Sequence, residues 1–579
     1  MGLAVGVNAP YLGAGYQADD LLLINLMRQD PLPWPRWRGP WSVWDIPAFT
    51  NLWWRDADAI GAFWRPLPGL VFEGAVRLFG EQQAFPLHLL ALLLHGAVAG
   101  GLYLLLHHLG RPRLGLLAAL FFVLCEDHSM GVGWVATITD MMAVALLMAA
   151  LLLQAAWLRE RRPGQIVGAL LAAALALTCK ESAVVGPLLL ALLAACFPRG
   201  RAEDRPGRPP LLAWAPGLAL TAGFLLLYRA LQLGGMRNLM YLDPLGQPGA
   251  WLLHLALHGP VMLLATITPV PPSLPMFMPA SLIPLTVAGG LAGLLWLALL
   301  RPWWSTGLAR FGAGLWLIAL LPQMGADASE RGLYLPFVGA AILLALPVEQ
   351  ALASWRQGPP LRARLGPLRA RLGPQRARLG TAWALTGVLL PGALLSLYMP
   401  GEYIRSFDKG RQVALSALPA IQAARPAHVL VLGTSGMMDT FYVGGILEHA
   451  RGAPLDLRIL SSANVVLEVE RLPGDAFLLR ADRPGWLSQM FARVVRTQPT
   501  FSAGRRYQTD LFTATLQDLT PAADDVLTVR FDLTLPIDDP RLLILSWDGA
   551  ALSPVDLAGM EAGERRVLAD TSDVWASMM

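Results

Sequence analysis

Runs of about 20 predominantly apolar residues, the length that carries a helix across hydrocarbon, recur along the first two thirds of this chain. They occupy residues 86–109, 137–158, 211–229, 280–300, 333–353 and 381–399. Shorter apolar runs at 113–126, 164–179, 182–198 and 305–322 complete the set as further members of a bundle. Lipid offers no hydrogen bonds to the backbone, so such runs must be helices. The composition agrees: 579 residues, 55% hydrophobic and only 15% charged, exclude an ordinary soluble protein. The opening "MGLAVGVNAPYLGAG" lacks the basic start of a cleavable signal and is too short to span. It reads as the remainder of a first helix whose beginning is missing from the chain or misassigned. Cys125, Cys179 and Cys196 lie in or beside apolar segments without metal-ligand spacing, and read as small buried hydrophobes.

The net charge of +4 says little, but its placement sets an orientation. Basic residues gather in "GRPR" (110–113), "RERRP" (159–163), "PRGRAEDRPGRP" (198–209) and a seven-residue tandem repeat, "LRARLGPLRARLGPQRARLG", which with Arg356 just before it makes seven arginines from Arg356 to Arg378. Loops of this kind stay in the cytoplasm. A nucleic-acid patch is the weaker reading, and no nucleic-acid partner is expected. The loops near 126–140, 180, 229–250 and 323–331 hold few Lys or Arg and fall on the other side. The alternation closes if "WLLHLALHGPVMLLATITPVPP" (251–272), with two histidines and four prolines, lies in the interface or re-enters rather than crossing. The expectation is an all-α polytopic membrane domain of about eleven spans over residues 1–400, with residues 16–85 as a long first outer loop. That loop is rich in Trp and Phe, which suits helices lying at headgroup depth.

Near residue 400 the pattern changes. Short apolar runs, "HVLVLG" (428–433), "LDLRILSS" (455–462), "VLTVRFDLTL" (526–535) and "RLLILSWDG" (541–549), read as strands, with a helix after 433. Residues 401–579 are thus expected to form a soluble α/β domain outside the membrane. "VLVLGTSGMMDTF" has too few glycines for a phosphate-binding turn, so no active site is placed there.

Ionisable residues beside a bilayer are costly, and those that persist are functional candidates. Five sets stand out on the proposed outer side: Asp19–Asp20, Arg65, the stretch Cys125–Asp140 with Asp127, His128 and Asp140, Lys180–Glu181, and Glu330–Arg331 with Tyr334. Each has a plainer reading. Asp19 and Asp20 could mark a helix end, Lys180 could neutralise Glu181 and Arg331 Glu330, and Asp127, His128 and Asp140 could be a satisfied polar turn. Taken together they suit chemistry. A held carboxylate takes a proton from an acceptor hydroxyl, and cations such as Arg65, Lys180 and Arg331 neutralise a departing lipid phosphate.

The ordered motifs "GYQADDLLLIN", "FWRPLPGLVFEGAVRLFG", "FPLHLLALLLHGAV", "GWVATITDMMAVAL", "CKESAVVGPLL" and "LPQMGADASERGLYLPFVGAAILL" resemble one family. It is the membrane half of the transmembrane and tetratricopeptide-repeat O-mannosyltransferases and their bacterial relatives, within the GT-C superfamily. The resemblance covers roughly residues 9–350. It implies a GT-C-like fold, a polyprenyl-phosphate-linked sugar donor, inversion at the anomeric carbon, and a catalytic acid in the first outer loop. By position that acid is Asp19 or Asp20, with Asp19 favoured. Arg65 matches the family's "RPL" segment, and Glu330, Arg331 and Tyr334 its "ER-LYLP" stretch. Where the family reads like "HP…E" this chain has Cys125, Glu126, Asp127 and His128, and residues after 400 show no tetratricopeptide repeat.

The expected site therefore has Asp19 and Asp20 as catalytic acids, Arg65, Lys180 and Arg331 on the donor phosphate, and Glu181, Glu330, Tyr334, His128 and Asp140 in support. No metal ligands are assigned and no cofactor is called for, with a divalent metal left open. The partners expected are the lipid-linked donor, a protein or glycan acceptor and the bilayer, with the protein in a bacterial inner membrane and its site facing the periplasm. The rival is a non-catalytic scaffold or a lipid-linked glycan transporter. A transporter would string charges through the bilayer, whereas these gather on one side.

Overall fold

A computed structural model describes residues 2–29, 44–45, 52–201, 211–357, 378–434, 437–461, 465–488 and 490–568. Most of the arginine repeat and of the basic loop 198–209 lie outside the described residues. The chain divides into two compact units. The first comprises Met1–Tyr16, Trp64–Gln232 and Leu242–Ile404; the second comprises Gln17–Phe63, Leu233–Tyr241 and Arg405–Met579.

The first unit is helical because its sequence offers the backbone no other way to satisfy itself in lipid. Among the described residues, eight helices are long and apolar enough to cross a membrane. A ninth arises if Pro112–Val123 and Asp127–Gly133, bent by 68° at a short break, count as one span. Pro163–Leu177 and Glu181–Cys196 are apolar but shorter. The sequence count of about eleven therefore includes segments that the structure keeps short or breaks. Proline and left-handed residues set these limits. Arg161 (φ 59°) ends the helix Ile138–Glu160, and Pro163 starts the next one. Phe85–His108 packs against both Pro112–Val123 and Ile138–Glu160, while Pro336–Gln357 packs on Pro112–Val123 and Gly307–Leu320.

Of the two arrangements expected for residues 251–272, the structure removes re-entry and leaves the interfacial helix. Residues 251–272 do not break or turn back: Pro248–Ile267 is a continuous helix long and apolar enough to cross, with Pro260 inside it. Its neighbour Leu282–Leu300 absorbs the distortion. Gly289 lets the two backbones meet, since a Cβ there would stand 1.9 Å from the Pro260 carbonyl oxygen. Thr286 Oγ1 donates to the Leu257 carbonyl at 2.6 Å. Three of the four prolines, Pro269, Pro271 and Pro272, come after the helix ends. A proline in an apolar helix is tolerated where a neighbour re-satisfies the backbone in this way.

The second unit is α/β. In its four-stranded sheet, His428–Val431 runs parallel to Leu542–Trp547 on one side and to Asp456–Ile459 on the other, with Leu552–Pro554 antiparallel at the edge. The helix Met437–Arg451 makes the crossover between the parallel strands 428–431 and 456–459. A six-stranded antiparallel sheet follows the order Arg565–Val567, Leu467–Leu472, Ala476–Ala481, Val526–Leu533, Phe512–Leu519, Arg506–Gln508. A three-stranded sheet joins Trp44–Asp45, Ile60–Phe63 and Gly234–Arg237. The four strands and the helix expected after residue 427 are all present.

The first outer loop departs from its expected role. Trp53 and Trp54 do not lie in an interfacial helix; they are buried in the core of the second unit beside Leu460, Phe477 and Phe531. Their indole nitrogens donate to the carbonyls of Leu460 (3.0 Å) and Ala492 (3.3 Å). Asp56, also buried, accepts from the Thr497 amide at 2.8 Å and from Arg505 at 2.5 Å. Aromatic residues interrupted by charge suit an interface, but they equally suit a strand-rich core whose polar atoms find partners. Pro66–Phe79, in the first unit, is a helix with Leu78 and Phe79 exposed, in keeping with a surface-lying helix.

Candidate active site

Short links between the first unit's helices gather its charged residues. Arg65 precedes the helix Pro66–Phe79 and meets Glu181 with both arms of its guanidinium, Nε to Oε1 at 3.1 Å and Nη2 to Oε2 at 2.9 Å. Tyr228 donates its hydroxyl to the same Glu181 Oε1 at 2.8 Å and accepts from the Trp64 amide at 3.1 Å. Burial works against the charge of Arg65, but the Glu181 carboxylate outweighs it and holds the guanidinium above its ordinary range. One residue along the chain, Lys180 pairs with Asp140 in the first turn of Ile138–Glu160. Burial draws the Lys180 ammonium below its usual range; Asp140 opposes this, while the nearby charges of Arg65 and Arg331 add to it.

Arg331 is placed differently. Its guanidinium lies over the Trp134 indole, 4.4 Å from the ring centroid, and makes no ion pair with any described residue. Glu330 turns instead to the Ser273 hydroxyl at 2.5 Å. Neither neighbouring acid–base pair of the sequence is thus an ion pair in the structure. Lys180 and Glu181 each find a partner far along the chain, because adjacent side chains on a tight turn point apart. Among the described residues of this set, Arg65 and Lys180 have carboxylate partners and Arg331 is the cation that ion-pairs with neither.

Tyr334 and His128 belong to a buried aromatic cluster. His95 Nδ1 and the Tyr334 hydroxyl are 3.1 Å apart, and the His128 ring packs on Tyr334 (centroids 4.8 Å) and Phe122 (4.4 Å). His128 Nδ1 is 2.9 Å from the Phe122 carbonyl oxygen. Asp127 is buried beside Cys125. Among the described residues, no group of three His, Cys, Asp or Glu could hold a metal ion.

Asp19 and Asp20 belong to the second unit, where they open the helix Asp19–Gln29. They do different things. Asp20 is fully buried and accepts the Gln17 backbone N–H at 3.0 Å, a reach-back that fastens the start of the helix. Asp19 is only half-buried, and its Oδ1 accepts the Tyr442 hydroxyl at 3.0 Å.

Sequence reading missed Tyr228, Trp134, Ser273, His95 and Tyr442. His95 carried a signal, being an ionisable residue in the middle of an apolar run. Tyr228 and Tyr442 carried none, since their roles depend on partners 47 and 423 positions away.

Residues 65–226 match the family model described as dolichyl-phosphate-mannose-protein mannosyltransferase. The GT-C resemblance carried by the motifs is borne out over that segment, which contains Arg65, Asp140, Lys180 and Glu181. No curated protein sequence matches the chain. Among solved structures, the chain is similar to the Archaeoglobus fulgidus oligosaccharyltransferase tethered with an acceptor peptide, at 11% identity and a TM-score of 0.40 over 79% of this chain. The chain spans 63% of the length of that protein. It is also similar to ArnT from Cupriavidus metallidurans bound to undecaprenyl phosphate, at 14% identity and a TM-score of 0.39, covering 79% of this chain and 84% of that one. Likenesses at these scores carry no argument about activity.

Proposed function

We propose that this protein is an inverting glycosyltransferase that moves a sugar from a polyprenyl-phosphate carrier to a protein or glycan acceptor at the outer face of a bacterial inner membrane. The observation that carries the reading is Arg331, which lies near Lys180 beside the Arg65–Glu181 and Lys180–Asp140 pairs and ion-pairs with no described residue. A partly buried cation without a counter-ion is costly. A phosphodiester, the linkage in a polyprenyl-phosphate sugar, brings one negative charge and cancels it.

The reaction adds charge where this site can receive it. The acceptor oxygen attacks the anomeric carbon, and the bond from that carbon to the phosphate oxygen breaks. The polyprenyl phosphate leaves as a monoester, which is more negative than the diester near neutral pH. Cations whose interaction strengthens as that charge develops lower the barrier instead of merely binding substrate. Arg331 has the planar fork for two phosphate oxygens, and its place over Trp134 fixes the plane of the fork. Lys180, drawn toward neutrality by burial and by two nearby guanidiniums, gains from an added anion. The proton released by the acceptor passes to a carboxylate. We assign that role to Asp19, because Asp20 is committed to the helix start.

The family description supports a polyprenyl phosphate donor and makes mannose the first sugar to test. The positive-inside pattern supports a periplasmic site. The test is transfer of radiolabelled mannose from a polyprenyl-phosphate donor by the purified protein, beside the Arg331→Ala variant. Labelled product from the parent protein and its loss from the variant support the reading. A parent protein that moves the intact lipid-linked sugar across vesicles without cleaving it would favour the transporter.

A further inference from the structure

We infer that Tyr442, on the helix Met437–Arg451 of the α/β unit, is a positioning residue for Asp19, so that this helix serves the reaction by holding the base. The inference rests on the reading of Asp19 as the catalytic base, and it gives the residues after 400 a task in that same chemistry.

Four contacts link the two helices in sequence order. Asp19 receives the Tyr442 hydroxyl at 3.0 Å. One turn on, Leu22 lies against Gly445, where a Cβ would come within 2.7 Å of Leu22 Cδ2. Asn25 Nδ2 donates to the Gly445 carbonyl at 2.8 Å. A further turn on, Arg28 Nη1 reaches the Glu448 carbonyl at 3.4 Å. Residues three apart are neighbours on a helix surface, so the contacts step from Asp19 through Leu22 and Asn25 to Arg28 on the first helix and from Tyr442 through Gly445 to Glu448 on the second. Three of these contacts hold the helix, and the Tyr442 contact meets the carboxylate itself. Tyr442 is itself buried and packed edge-on against Phe441, so its hydroxyl has little freedom to follow a wandering acid.

A carboxylate that must take a proton along one line of approach gains from such a tether, since a misplacement of about 1 Å costs up to about 100-fold in rate. Loss of the tether also makes the carboxylate a somewhat stronger base, a gain smaller than the loss of alignment because rate follows basicity only fractionally.

Tyr442→Phe keeps the ring and removes the hydroxyl. The expected result is a kcat about 10-fold lower with the donor KM unchanged and the melting temperature of the detergent-purified full chain unaltered. Gly445→Val, which displaces Leu22 and with it the helix, should also lower kcat without raising the donor KM. Asp19→Asn, measured in parallel, separates the two levels. If Asp19→Asn is inactive while Tyr442→Phe keeps parental kcat, the base stands and the positioning role is overturned. If Tyr442→Phe lowers kcat only together with a raised KM and a lower melting temperature, Tyr442 is structural and the inference is likewise overturned. If Asp19→Asn turns over normally, the base assignment itself fails and takes the role of Tyr442 with it.

Discussion

Replacing Arg331 by alanine should weaken donor binding without unfolding the protein, because no described carboxylate pairs with Arg331 and would be stranded by its removal. A charge-assisted contact to phosphate contributes about 2–3 kcal/mol, and tenfold in affinity corresponds to about 1.4 kcal/mol. Arg331→Ala should therefore raise the Kd for a polyprenyl phosphate by about 30- to 150-fold. Arg331→Lys keeps the charge but loses the planar fork and its stacking on Trp134, so it should recover only part of that loss. Arg65→Ala is the contrast. It leaves Glu181, whose side chain is only 24% exposed, with the Tyr228 hydroxyl but without its cation. Breaking a pair of that kind costs about 3–5 kcal/mol of stability. Titration of each detergent-purified variant with a short-chain polyprenyl phosphate, alongside thermal melting, reads both effects. An Arg331→Ala variant that binds the lipid phosphate with parental affinity would remove Arg331 from the site and with it the charge argument.

Two further expectations follow from other parts of the molecule. Asp525 is buried and accepts from the backbone amides of Gly485, Trp486, Leu487 and Val526 and from the Ser488 hydroxyl, so Asp525→Ala strands several donors and should destabilise the α/β unit by at least about 3 kcal/mol, read as a lower melting temperature and faster proteolysis after residue 405. Compartment reporters fused after Gly380 and after Ala424 should report opposite sides of the membrane, the arginine-rich side being cytoplasmic; the same side for both would refute the orientation.

Legibility in the sequence followed the range of the forces involved. Spans such as Phe85–His108 and Pro336–Ala353 were plain, because a lipid environment imposes the same demand on every residue of the run. The strands His428–Val431 and Leu542–Trp547 were legible from short apolar runs alone. The continuity of Pro248–Ile267 was hidden because its histidines and Pro260 are local signals, whereas the accommodation by Gly289 and Thr286 is a property of the neighbouring helix. Trp53 and Trp54 pointed to the membrane surface for a similar reason. Composition records that an indole needs an apolar body and a polar partner, and not whether a headgroup or the Leu460 carbonyl supplies it. In the site, residue types were readable and pairings were not. Lys180 and Glu181 looked like partners by adjacency, yet Asp140 and Arg65 hold them from 40 and 116 positions away. The division of labour between Asp19 and Asp20 was also hidden, since it turns on the Gln17 amide and on Tyr442.

The central claim is that Asp19 takes the acceptor's proton while a lipid phosphate departs among the cations, and the most direct measurement is single-turnover sugar transfer by Asp19→Asn. The purified variant is mixed in excess with a radiolabelled polyprenyl-phosphate mannose and acceptor, and the rate of label transfer is compared with the parent. Positioned proton transfer contributes about 10²–10⁴-fold, so the account predicts a loss of that size at unchanged donor affinity, with Asp20→Asn lowering the melting temperature instead. Parental single-turnover rates in Asp19→Asn would contradict it, and would make the paired acids nothing more than the start of a helix.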